Sequence, residues 1–152
     1  MKQLLLICAV VMGQSVLAAD EKLIADPIVE KAVREGLKKP KGELTKADLE
    51  KVTKLWVQGN QLTDVKGLEN LTQLKSLDLW SNQLTDVKGL ENLTQLEQLH
   101  LGGNKLTSVK GLEKLTKLEQ LILYDNPALT KAQIDELQKA LPNCKILSNP
   151  TK

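Results

Sequence analysis

Aromatic side chains are nearly missing from this chain. They make up 2% of 152 residues, as two Trp and one Tyr, with no Phe. The core must then be aliphatic, and the places of the three remaining rings become informative. Charge of one sign is also missing: 21 Lys and Arg stand against 19 Asp and Glu, for a net +2. The charges are interspersed, with no basic block, which excludes the electrostatic footprint of a nucleic-acid or anionic-membrane binder. There is one His, no cluster of metal-ligand spacing and no phosphate-binding glycine loop, so no metal or cofactor is expected. Hydrophobic residues at 41% and charged residues at 26% argue against disorder, and the length suits one domain.

A run long enough to span a bilayer is missing too. Leu4 to Val11 is an apolar stretch of signal-peptide length behind Lys2. Val16 and Ala18 offer small side chains at −3 and −1, so cleavage is expected after Ala18, with Ala19 as the alternative. The mature chain is then exported, periplasmic or secreted, with no integral membrane segment. Leu5 to Cys8 matches a lipoprotein-type L-x-x-C but sits before the apolar run is complete, which argues against a lipid anchor. Cys8 leaves with the signal. Cys144 is left alone, as a small buried hydrophobe or as the site of a disulfide between chains.

What is abundant is leucine, at a fixed interval. Leu71 to Asn82 reads L-x-x-L-x-x-L-x-L-x-x-N, and Asn60, Asn82, Asn104 and Asn126 are each 22 residues apart. A period in that range means stacked structural repeats. The columns are Leu55, Leu77, Leu99, Leu121; Val57, Leu79, Leu101, Leu123; Leu62, Leu84, Leu106; Val65, Val87, Val109; and Leu68, Leu90, Leu112. The x-L-x-L-x part alternates with period 2, the mark of a strand with one buried face. Each repeat is expected to form one coil, with strands stacked in parallel about 4.8 Å apart.

The four Asn fall where each strand ends, and all are expected to bond backbone groups of their own and adjacent coils as a ladder. Gly67, Gly89 and Gly111 read as turn positions of positive φ. Asn70-Leu71-Thr72 and Asn92-Leu93-Thr94 match a glycosylation sequon, but they recur at the repeat period and read as parts of the frame.

Both ends depart from the frame. Asp26 is a good N-cap and Pro27 a good first residue for a helix whose apolar face is Ile28, Val29, Ala32, Val33 and Leu37. Gly36 sits near its end and Pro40 stops it. Thr45 and Asp48 form a capping box, with Asp in place of Glu, for a short turn carrying Leu49. At the other end, Thr130 and Gln133 open a helix through Leu141, with Ala132, Ile134, Leu137 and Leu141 toward the core. Cys144 to Leu147 reads as a last short strand. The expected organisation is 1–18 signal peptide, 19–48 helical N-terminal cap, 49–126 four repeats and 127–152 C-terminal cap. Both ends are expected to be closed and the unit complete.

These residues closely resemble leucine-rich repeats. The frame L-x-x-L-x-x-L-x-L-x-x-N-x-L-T-D-V-x-G-L-E-N is similar to the 22-residue class of bacterial internalins and of protein phosphatase regulatory subunits. The resemblance covers Leu49 to Asn126, and the segments Asp26–Leu37 and Leu129–Cys144 resemble the caps of small secreted bacterial members. It implies an α/β solenoid with a parallel sheet on its concave face, helical caps, and protein binding as the general activity.

In that fold, the residues between the strand leucines point out of the concave sheet in three columns. They are Lys54, Ser76, Gln98, Gln120; Trp56, Asp78, His100, Ile122; and Gln58, Trp80, Gly102, Tyr124. Every aromatic residue and the one His share this face, and Trp and Tyr are enriched in binding hot spots. Trp56 and Trp80 are close enough to touch. Gly102 is expected to make room for a partner or to reflect loss of a side chain. The expected contact surface is Trp56, Gln58, Asp78, Trp80, Gln98, His100, Ile122 and Tyr124, in a non-enzymatic module that binds a protein. The alternatives are a structural or self-associating envelope protein, and a hydrolase using Asp78 and His100 with Ser76 nearby.

Overall fold

A computed structural model describes residues 22–149. The expected signal segment and its cleavage site lie outside the described residues. Each coil opens with three extended residues, because one inward leucine flanked by two outward side chains is all that fits before the chain must turn. The strands are β1 (Lys54–Trp56), β2 (Ser76–Asp78), β3 (Gln98–His100), β4 (Gln120–Ile122) and β5 (Lys145–Leu147). They form one parallel sheet in chain order. Leu55, Leu77, Leu99, Leu121 and Ile146 pair in sequence across it. The fifth strand belongs to the C-terminal segment and extends the concave face by one rung.

The return path on the convex side is a short 3-10 turn in each coil, at Leu68–Asn70, Leu90–Asn92 and Leu112–Lys114. The glycine before each turn has φ of 91°, 102° and 104°. Its N–H donates to the carboxylate of Glu69, Glu91 or Glu113 at 2.6, 2.5 and 2.6 Å. The recurring Gly-Leu-Glu is therefore a turn in which the glycine supplies the dihedral and the glutamate satisfies the freed donor. The hydrogen bonds from its own backbone N–H and from Gly89 hold the Glu91 carboxyl below the ordinary carboxylate range.

The leucine and valine columns are buried and form one continuous core along the stack. Each fully buried leucine contributes roughly 1.5–3 kcal/mol relative to an exposed one. Neighbouring coils supply most of each other's cover, so stability is shared along the stack.

Three of the four column asparagines are buried. The Asn104 Nδ2 donates to the carbonyls of Leu79, Leu101 and Gly102 at 3.0, 3.0 and 3.2 Å, and its Oδ1 accepts from Leu84 N at 3.1 Å. Asn82 and Asn126 repeat the pattern, each reaching back to the coil before it. Asn60 is the exception. It is exposed, and its Nδ2 donates to its own coil at Gln58 O, 2.7 Å. The ladder runs backward along the chain, and the first coil has no predecessor.

A helix flanks the stack at each end. In α1 (Pro27–Leu37), Asp26 accepts from Ile28 N and Val29 N at 2.7 and 3.1 Å. Its left-handed cap is Lys38 at φ 53°, with Gly36 near the helix end as expected. Val29 and Val33 are buried, and α1 packs against the β1 end of the sheet. The Thr45–Asp48 capping box opens α2 (Lys46–Leu49). The Lys39 ammonium, 2.7 Å away, and the Thr45 N–H and hydroxyl hold the Asp48 carboxyl far below the ordinary range. In α3 (Lys131–Ala140), the Thr130–Gln133 box is present and Leu137 is buried, with Leu141 as the C-cap. Ala132 is exposed, contrary to the expected core face. In the first turn of α3, its position looks away from the stack.

Cys144 is 4% exposed, and burial pushes its thiol up. A disulfide to a second chain would require it to leave the core. No helix among the described residues is long and apolar enough to cross a membrane.

Candidate functional site

The concave sheet holds its outward side chains rigidly, because the backbone ladder continues past the strands. Gly59 N donates to Trp80 O at 2.9 Å, Ser81 N to Gly102 O at 2.9 Å, and Gly103 N to Tyr124 O at 2.8 Å. Trp80, Gly102 and Tyr124 thus sit on paired backbone, although they lie beyond the three-residue strands. The central column reads Trp56, Asp78, His100, Ile122 and Leu147, one residue per rung.

Asp78 is the hub of this face. Its Oδ1 accepts from Trp80 N at 2.9 Å. Its Oδ2 accepts from Gln58 Nε2 and lies 3.3 Å from His100 Nδ1. The His100 ring stacks on Trp80 with centroids 4.8 Å apart and planes tilted by 46°. Trp80 itself is seated over Gly102, where an added Cβ would come within 2.1 Å of its ring. Gly102 therefore makes room for Trp80 and not for a partner. The ring that Trp80 meets is His100, one rung onward, where Trp56 had been expected.

Trp56 stands apart from this packed group at 62% exposure. Tyr124, at 38%, is the other large hydrophobic side chain exposed among the described residues, and it lies on the same face. Trp56, Ser76, Asp78, Gln98, His100 and Ile122 line a shallow concavity of about 190 Å³. Of the expected contact residues, Gln58 and Trp80 belong to the Asp78 network, Trp56, Asp78, Gln98, His100 and Ile122 to the concavity, and Tyr124 to the flank. The short strand expected over Cys144 to Leu147 is present as Lys145–Leu147, and sequence reasoning missed only that it adds a fifth rung to this face. Leu147 pairs with Ile122 and lengthens the apolar end of the column. The signal for it was the short apolar run after Cys144, whose register needed the structure.

The arrangement lacks a nucleophile linked to the imidazole. The Ser76 hydroxyl donates to Gln98 Oε1 at 3.5 Å, not to His100. Among the described residues there is no group of three or more metal-ligating side chains.

A one-sided parallel sheet of 22-residue coils, with 3-10 turns behind it, defines a leucine-rich-repeat solenoid. The repeat profile described as Leucine Rich repeats (2 copies) matches residues 50–92 and 94–139, over half of the chain. The chain belongs to the leucine-rich-repeat family, whose members are generally protein-interaction modules. Among solved structures it is similar to an internalin (inlF) of Listeria monocytogenes, at 27% identity and TM-score 0.71, covering 86% of this chain and 45% of that one. Internalin C2 of the same species gives 29% identity and TM-score 0.74, covering 82% and 54%. A leucine-rich-repeat protein of Leptospira interrogans gives 30% identity and TM-score 0.59, covering 68% and 27%. The chain spans about half the length of the two internalins. No curated protein matches it.

Proposed function

We propose that this protein is an exported, non-enzymatic interaction module that binds a protein partner through its concave face. One observation carries the reading: the two large hydrophobic side chains left exposed among the described residues, Trp56 and Tyr124, both stand on that sheet. In a chain with three aromatic residues, exposing two on one rigid surface is the pattern of a hot spot. The Asp78 network supports it by fixing the surface between them, which lowers the ordering cost of association. The organisation belonging to this reading is a signal at 1–18, caps at 19–48 and 127–152, and four repeats at 49–126. Export to the periplasm or beyond rests on the N-terminal apolar run and the small residues at Val16 and Ala18.

The test is capture of the partner by the purified protein. Replacing Trp56 and Tyr124 together by Ala is expected to weaken binding by about a hundredfold. The melting temperature should stay within about 2 °C, because neither ring is buried. Undiminished binding by the double variant would remove the concave face as the docking surface.

A further inference from the structure

Resting on that docking face, we propose that its central concavity receives a single arginine side chain of the partner. Asp78 is the one charged side chain lining the concavity. Three donors, from Gln58, Trp80 and His100, hold its carboxylate without a cationic Lys or Arg to neutralise it. Trp56, its register partner on the next rung, presents an exposed indole beside it. A guanidinium offers five N–H donors, no acceptor and a flat face that stacks on indole. The concavity supplies the complement: a π face at Trp56, a carboxylate at Asp78, and amide oxygens at Gln98 and Gln120.

His100 adds an acceptor. A neutral imidazole facing a carboxylate carries its proton on the facing nitrogen, here Nδ1, which leaves the Nε2 lone pair free. About 190 Å³ holds one side chain. Lys54 and Lys145, at the two ends of the outer column and outside the concavity, oppose a run of basic residues. The pocket thus selects an isolated arginine.

The test uses the purified protein and an acetylated Gly-Gly-Arg-Gly-Gly amide, followed by the NMR signals of the two indole N–H groups. The Arg peptide is expected to shift the Trp56 signal saturably. The same peptide carrying citrulline, its uncharged isostere, should bind more weakly by a factor of about five at the least. Asp78→Asn should abolish that preference, and Trp56→Ala should abolish binding in a folded protein. Equal binding of the citrulline or a lysine peptide, or no shift at Trp56, overturns the arginine subsite. Partner capture that depends on Trp56 and Tyr124 but survives Asp78→Asn would overturn the subsite and leave the docking face standing.

Discussion

The convex arc and the concave face are cut from the same coils and follow opposite rules. On the arc the sequence repeats almost letter for letter: Leu62 to Asn70 and Leu84 to Asn92 are identical. On the face, Trp56, Asp78, His100 and Ile122 share one column and no two are alike. The reason is where the backbone finds its partners. On the arc, side chains satisfy it: Asp64 and Asp86 accept from Lys66 N and Lys88 N, each at 3.0 Å, and the Glu side chains accept from the glycines. The third coil has Ser108 in place of Asp and keeps the bond, to Lys110 N at 3.1 Å. On the face, the parallel ladder satisfies the backbone, and the side chains are released to vary.

That contrast can be broken most severely at the column where arc and face meet. Asn104→Ala removes four hydrogen bonds inside the stack, leaves the buried Leu84 N–H without a partner, and should cost about 3 kcal/mol, read as a lower urea midpoint. Next, Gly102→Ala tests whether the face is as free as its variability suggests. Its Cβ would collide with Trp80, so the ring should leave His100, with a red-shifted indole emission and a loss of about 1–3 kcal/mol. A fully wild-type emission spectrum in that variant would show that the face tolerates change even there.

Acid probes the arc and the N-terminal cap. Lys22 and Arg34 hold Glu30 below the ordinary range, as Lys39 and Thr45 do Asp48 and the Gly89 turn does Glu91. Carboxyls depressed in the folded state contribute stability that is present above their unfolded values near pH 4 and is lost as pH falls toward the folded ones. The melting temperature should therefore fall steeply below about pH 4.5. Asp48→Asn should be less stable than wild type at neutral pH and converge with it in strong acid. The smallest effect belongs to Asn60→Ala. The same substitution that disrupts coil three should stay within about 0.5 kcal/mol at the exposed first coil. A loss there equal to that of Asn104→Ala would refute the backward-running ladder.

Much of this molecule was legible in the chain because repetition states a structure several times over. The leucine columns, the glycine turns and both capping boxes follow from local chemistry and spacing. The failures cluster where position in the stack matters more than residue type. Asn60 carries the same letter as Asn104 but stands at an end. Gly102 reads as a missing side chain until Trp80 is seen lying across it. Leu147 belongs to a rung that the 22-residue frame does not count.

The sequence by itself determined the coil, its direction of stacking and the face that carries the aromatic residues, because a period of 22 leaves one way to bury so many leucines. Only the tertiary structure decided how that face is used. Side chains one rung apart in space are 22 residues apart in the chain, and no local preference says which of two neighbours packs and which stays free. Trp80 found a seat over Gly102 and a partner in His100, while Trp56, the same residue one coil earlier, was left to solvent.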